Sequence, residues 1–159
     1  MVKVNDIAGL PLFKGLSGDE LKAIAEIITA DIYPASHQIF DEGEVTCPCI
    51  YIIQKGKVDV QKRNKDGDLL TLSVQREGNF FGELSFIDNK PHSATLTTAT
   101  EESVVLKIDR GDFDKFVQRY AAAGYRVLLN VVQDISELVR RMNTQYVDMA
   151  GYVFGRTKR

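Results

Sequence analysis

The sequence predicts a mainly β domain, an antiparallel jelly roll (β-roll) with helices before it and a long helix after it. Three observations carry that expectation. Between Thr29 and Ile108, short runs rich in Ile, Val, Tyr, Phe and Thr are separated by turn signals at Pro34, Glu42-Gly43, Lys55-Gly56, Asp66-Gly67, Gly78 and Asn89. About eight short strands at such regular spacing suit two sheets that bury their inner faces on each other. Outside that stretch the apolar residues recur at helical intervals. At 159 residues the chain is long enough for one proper core. We expect a β-roll with its flanking helices over 1–120, then a long dimerisation helix and a short basic tail over 121–159.

The first element is a short helical piece capped by Asn5-Asp6, carrying Ile7, Leu10 and Leu12-Phe13 and interrupted at Pro11. Ser17-Gly18-Asp19-Glu20 is a capping box, and Leu21, Ile24, Ala25 and Ile28 after it give a helix one buried face. In the β region, Val58, Val60 and Lys62 alternate with Lys57, Asp59 and Gln61. Leu70, Leu72 and Val74 answer them across Asn64–Asp68, where Asp66-Gly67 makes a hairpin turn.

Asp109-Arg110-Gly111-Asp112 caps a further helix with Phe113, Phe116, Val117 and Tyr120 as its buried stripe. Ala121-Ala122-Ala123-Gly124 permits a bend, and a long helix follows from Tyr125 to about Met149. In it Leu128, Val132, Ile135, Val139, Met142, Tyr146 and Met149 recur at spacings of 4, 3, 4, 3, 4 and 3. That is a narrow coiled-coil seam. The helix would be roughly 37 Å long, more than the β-roll of one small domain covers. The seam is therefore expected to join a parallel two-fold homodimer; packing along its own domain is the other reading.

Composition bounds the function. With 44% hydrophobic and 26% charged residues, the chain is an ordinary soluble globular protein. A net charge of −2 gives no whole-chain attraction to nucleic acid or membrane. The first six residues lack a signal-peptide core, and no apolar run approaches a membrane span. The expected compartment is the cytoplasm. Two histidines in total, far apart in the chain, cannot build a cupin-like iron or manganese centre. No Ser-His-Asp arrangement, P-loop or dinucleotide fingerprint is present, and no carboxylate pair is marked as acid and base. An enzyme is not expected.

Cys47-Pro48-Cys49 stands apart. Zinc takes about four ligands, and His37 and His92 are the histidines that could join the two sulfurs. A disulfide between residues two apart in a strand has poor geometry, and the cytoplasm disfavours it. The expected role is a turn closed by Pro48, with Cys49 opening a buried strand, and no metal site.

The stretch from Phe80 to Thr95 carries the functional expectation. Glu77-Gly78-Asn79 is a turn, and Gly82 lets the backbone run close to its neighbours. A helical turn after Gly82 leaves a row of unpartnered amides, which suits an anion. Glu83 projects from that turn and can accept from hydroxyls, while Asn89-Lys90-Pro91 ends the helix and His92-Ser93 returns polar groups to it. An anion beside a diol is what a sugar phosphate presents.

Phe81-Gly82-Glu83-Leu84-Ser85, followed after a short spacer by Pro91, Ser93, Ala94 and Thr95, resembles the phosphate-binding cassette of cyclic nucleotide-binding domains. Catabolite activator proteins and the regulatory subunits of cyclic-AMP-dependent kinase are in that family. Leu12–Ser17, Ile39–Glu44 and Ile50–Ile53 with Gly56 resemble it too, and the resemblance runs from Leu12 to about Met149. The stretch between Gly43 and Tyr51 is about one residue longer than usual, at Thr46–Cys49.

The resemblance implies cyclic AMP or cyclic GMP as ligand and no prosthetic group. Glu83 would hold the ribose 2′-hydroxyl, and Gly82, Leu84 and Ser93 would surround the phosphate, with Phe81, Ser85 and Ala94 in the same cassette. The family's phosphate-pairing arginine is replaced by His92. An imidazole with pKa ~6.5 is partly protonated at neutral pH, so His92 is expected to donate as an imidazolium, with Lys90 adding charge. Asn143 and Thr144 fall where family members bring side chains to the base. The transcription factors of the family continue into a winged helix-turn-helix, for which tens of residues more are needed; no sequence-specific DNA binding is expected. Two roles follow: a cyclic-nucleotide sensor that signals through its last helix to a protein partner, or a degenerate member kept as a dimeric protein-interaction module.

Overall fold

A computed structural model describes residues 2–99 and 102–154, and within them eight strands form two antiparallel four-stranded sheets. The strands are β1 (Ile28–Tyr33), β2 (Gln38–Phe40), β3 (Cys49–Lys55), β4 (Lys57–Arg63), β5 (Leu69–Arg76), β6 (Phe80–Phe81), β7 (Thr95–Thr98) and β8 (Ser103–Asp109). One sheet has the order β1-β8-β3-β6 and the other β2-β7-β4-β5. The expected β-roll is observed. Central β3 reads as a continuous apolar run because both of its faces are covered. Cys49, Tyr51 and Ile53 meet Phe40, Val58, Phe81 and Leu96 between the sheets. Ile50 and Ile52 point the other way, onto the helical layer.

That layer consists of α1 (Val4–Ile7), a 3-10 turn at Pro11–Phe13, α2 (Gly18–Ala25), α3 (Glu83–Asp88), α4 (Arg110–Arg119) and α5 (Ala121–Phe154). Ile7, Phe13, Ile24, Phe86, Phe113 and Val127 form its buried centre. The capping box at Ser17 is present: its amide donates to Glu20 Oε2 at 2.7 Å and its hydroxyl accepts from the Glu20 amide at 3.4 Å. The first helix starts at Val4 rather than after Asn5-Asp6. The Asp6 carboxylate accepts from the Lys3 amide at 2.9 Å, closing the turn from inside the helix.

Two further expectations are corrected. The bend before the long helix is at Tyr120 (φ −126, ψ 59), and α5 is already helical from Ala121. Gly124 serves close packing instead: a Cβ there would lie 2.5 Å from Val117 Cγ2 of α4. In the hairpin, Val58 is buried, but Leu70, Leu72 and Val74 are 51, 62 and 47% exposed. The register shifts between Val60 and Gln61, leaving Leu72 without an opposite residue, and β5 is an edge strand.

The first part of α5 packs on its own domain through Ala123, Val127 and Val131. Asn130 Nδ2 donates to the carbonyls of Leu12 at 2.9 Å and Lys14 at 3.1 Å. Of the sequence-defined seam, Ile135 is half-buried against the core. Leu128, Val132, Val139, Met142, Tyr146 and Met149 are exposed. Among the described residues no helix is long and apolar enough to cross a membrane. The basic tail Arg156–Arg159 lies outside the described residues.

Candidate functional site

The Gly82–Ala94 segment starts from β6, whose Phe81 ring stacks on Tyr51 with centroids 5.3 Å apart and planes at 7°. Gly82 then turns the chain with φ 80, and a Cβ there would lie 2.6 Å from the Cys49 carbonyl oxygen. Positive φ and close approach together require glycine. The close neighbour is β3, and this brings the start of α3 down onto the sheet. The Phe86 amide is bonded to Gly82 O at 3.0 Å within α3. The amides of Glu83, Leu84 and Ser85 precede it and have no acceptor within the helix. At the other end Asn89, with φ 57, closes α3 through its amide on Ser85 O at 2.9 Å.

His92 is 4% exposed. Its ring stacks on Phe40 with centroids 3.7 Å apart. Nε2 is 2.7 Å from Thr46 Oγ1 and Nδ1 is 3.2 Å from Ser85 Oγ, so both nitrogens are engaged. Burial lowers its pKa below 6.5, against a smaller opposing effect of Glu44. Burial thus works against the expected imidazolium, and the ring links the Thr46 loop to α3. Lys90, the expected auxiliary charge, is exposed and paired with Asp88 at 3.2 Å.

The cation beside this segment comes from β4. Lys62 Nζ donates to Ser93 O at 3.1 Å and pairs with Glu42 Oε1 at 3.0 Å. Glu42 is positioned by its amide, which donates to Thr95 Oγ1 at 3.0 Å, and the same hydroxyl donates to Asp41. The Lys62 contact holds the Glu42 carboxyl below its ordinary range. Sequence reasoning passed over Lys62, yet it shares a strand face with Val58 and Val60. A lysine on an inward-facing parity was the available signal.

Glu83 is half-buried, and burial raises its pKa, with the charge of Asp134 adding to the effect. Asp134 on α5 is raised in turn, first by burial and further by Glu137, with Arg141 opposing. Asn143 and Thr144 are exposed, and the Thr144 hydroxyl donates to Arg140 O at 3.2 Å within its own helix. They lie nine or more residues beyond Asp134, roughly 13 Å along the axis, and the structure does not bring them to the segment. Of the others, Ser85 is buried, Ala94 is half-buried against the inter-sheet core, and Leu84 and Ser93 are exposed.

Residues 31–120 match the family model described as cyclic nucleotide-binding domain. The cAMP-dependent protein kinase regulatory subunit of Aspergillus fumigatus is 29% identical over 126 residues, 79% of this chain and 26% of that protein. The cyclic AMP receptor protein of Thermus thermophilus is 26% identical over 129 residues, 81% of this chain and 59% of that protein. The chain therefore spans less than two thirds of the length of these curated relatives. The crystal structure of Thermus thermophilus catabolite activator protein is similar in fold, with a TM-score of 0.76 at 24% identity, covering 88% of this chain and 63% of that one.

Proposed function

Because the chain belongs to the cyclic nucleotide-binding domain family, we propose that it is a regulatory sensor for a cyclic mononucleotide, cyclic AMP or cyclic GMP. The ligand lies on the Gly82–Ala94 segment, and α5 passes the event to a partner. The observation that supports this most is the open first turn of α3 with the Lys62 ammonium tethered nearby at Ser93. The cyclic phosphate takes the amides of Glu83, Leu84 and Ser85, the Ser93 hydroxyl and the charge of Lys62. Glu83 accepts from the ribose 2′-hydroxyl, a donor that relieves a half-buried carboxylate. Phe81 and Ala94 form the apolar floor. The molecule works as a homodimer through the exposed seam of α5.

In this arrangement Lys62, and not His92, supplies the charge of the family's missing arginine. Isothermal titration with both nucleotides tests it. Lys62→Ala removes one charged hydrogen bond, worth ~1.5–3 kcal/mol, and weakens binding roughly tenfold or more. With burial lowering the His92 pKa below 6.5, wild-type affinity is expected to stay level from about pH 6.5 to 8. A steady fall over that range would return the phosphate to an imidazolium.

A second reading has one observation in its favour. A buried ring, its pKa lowered by burial, stands at the arginine position, as in a member that keeps the fold as a dimeric protein-interaction module without ligand. No heat signal from wild type with either nucleotide at millimolar concentration selects that reading.

A further inference from the structure

Cys47-Pro48-Cys49 enters β3 opposite the exit of β8, and Cys49 and Asp109 are cross-strand partners. Residues two apart in extended chain point to one face, so both thiols reach the same carboxylate. Cys47 Sγ is 2.6 Å and Cys49 Sγ 3.9 Å from Asp109 Oδ2. The other oxygen, Oδ1, is already occupied, accepting from the Gly111 and Asp112 amides at 2.8 and 3.2 Å as the cap of α4. The two oxygens have separate tasks, one structural and one facing the sulfurs. All three potential donor atoms lie within 4.8 Å of one another. Cys49 is buried and Cys47 exposed, which gives the cluster a firm base and access from solvent.

We propose that Cys47, Cys49 and Asp109 form a site for a thiophilic divalent cation of the zinc class. With bonds of about 2.3 Å to sulfur and 2.0 Å to oxygen, a tetrahedral ion holds its S and O ligands roughly 3.5 Å apart. The Cys49–Asp109 distance already fits, and the exposed Cys47 opens by about 1 Å. The Asp109 contact raises the Cys47 thiol and burial pushes Cys49 up to about 12, with Lys107 opposing both, so the ion displaces two protons on binding; two thiolates and a carboxylate then leave one negative charge on a divalent complex. Water completes the fourth position beside Cys47. Asp109 is sixty-two residues from Cys47, which is why sequence spacing gave no sign of a third ligand. Thr46, the residue before Cys47, holds His92, so the ion sits next to the loop that walls the nucleotide segment.

The test is titration of the fully reduced chain with cadmium, followed by sulfur-to-metal charge-transfer absorption, then displacement by zinc. It needs no nucleotide and is independent of the proposed ligand. One ion per chain is expected, with Cys47→Ser and Asp109→Asn each weakening binding by about tenfold or more. Asparagine caps a helix as well as aspartate does, so Asp109→Asn keeps α4, and its thermal melt verifies this. Absence of a saturable band in wild type overturns the proposal. So does equal cadmium affinity in wild type and either variant.

Discussion

Up to Ile135, α5 belongs to the domain: Ala123, Val127 and Val131 are sealed against Phe113 and Phe116, and Asn130 ties the helix to the Leu12–Lys14 turn. Beyond Ser136 the same helix leaves Val139, Met142, Tyr146 and Met149 at 48, 56, 72 and 62% exposure. The apolar period does not change between the halves; what changes is whether a surface lies opposite. The inner stripe steps by four, while Leu128 and Val132 each sit one residue, or about 100°, round from it. The helix therefore carries two apolar faces side by side, one for its own core and one without a partner in the monomer. A periodic stripe reports that something is to be covered, not by what.

Paired substitutions in the two halves sharpen or break that contrast. The largest difference is expected between Val131→Asp and Val139→Asp. An unpaired charge at the sealed position costs several kcal/mol, a large part of a domain's stability. Val131→Asp should lose its cooperative melt, whereas Val139→Asp should melt as a folded monomer by light scattering. A dimeric Val139→Asp would remove the exposed seam as the dimer interface.

Glycine to alanine comes next. At Gly124 the new methyl meets Val117 at 2.5 Å, and at Gly151 nothing lies within 4 Å. In urea unfolding, Gly124→Ala should destabilise by about 1–3 kcal/mol, and Gly151→Ala should stabilise by up to ~1 kcal/mol. The same sign at both sites would mean that the halves do not differ in packing.

A smaller effect is expected from the two asparagines. Asn130→Ala abandons two carbonyls and should cost about 1–2 kcal/mol. Asn143→Ala should stay within about 0.5 kcal/mol of wild type. An equal loss at both would place Asn143 in contacts that the monomer lacks.

The smallest concerns charge where the halves meet. Glu83 and Asp134 both have carboxyls raised by burial above 4.5 and 3.8. The folded state thus binds their protons more tightly, and stability falls as pH rises from those values through the raised ones. Asp134→Asn should raise the melting temperature slightly at pH 7 and flatten the fall in stability above the ordinary carboxylate value of 3.8. His92 has the opposite sign: with its pKa lowered below 6.5, stability is lost as pH falls under that value. A lower melting temperature for Asp134→Asn at pH 7 would show that the carboxylate is paired and not strained.

What was readable in advance was local. The Ser17–Glu20 box spans three residues, and the Asn64–Asp68 hairpin closes on its own carbonyl, with the Gly67 amide 3.1 Å from Asn64 O. Gly82 was identified as a close approach, and it is one, against Cys49. The misread features all depend on distant neighbours. Leu70, Leu72 and Val74 alternate like buried residues, yet the strand that carries them is an edge. The burial of His92 was likewise not legible, because its position in the motif says nothing about Phe40 and Thr46, which enclose it.

The sequence by itself determined the kinds of element, their caps and turns, and the glycine that starts α3. Those depend on backbone dihedrals and hydrogen bonds that close within a few residues. Only the tertiary structure decided that Lys62 lies at Ser93 and that Asp109 joins two thiols. Burial, charge and ligand geometry are set by side chains brought together across tens of residues, and no local pattern encodes which ones meet.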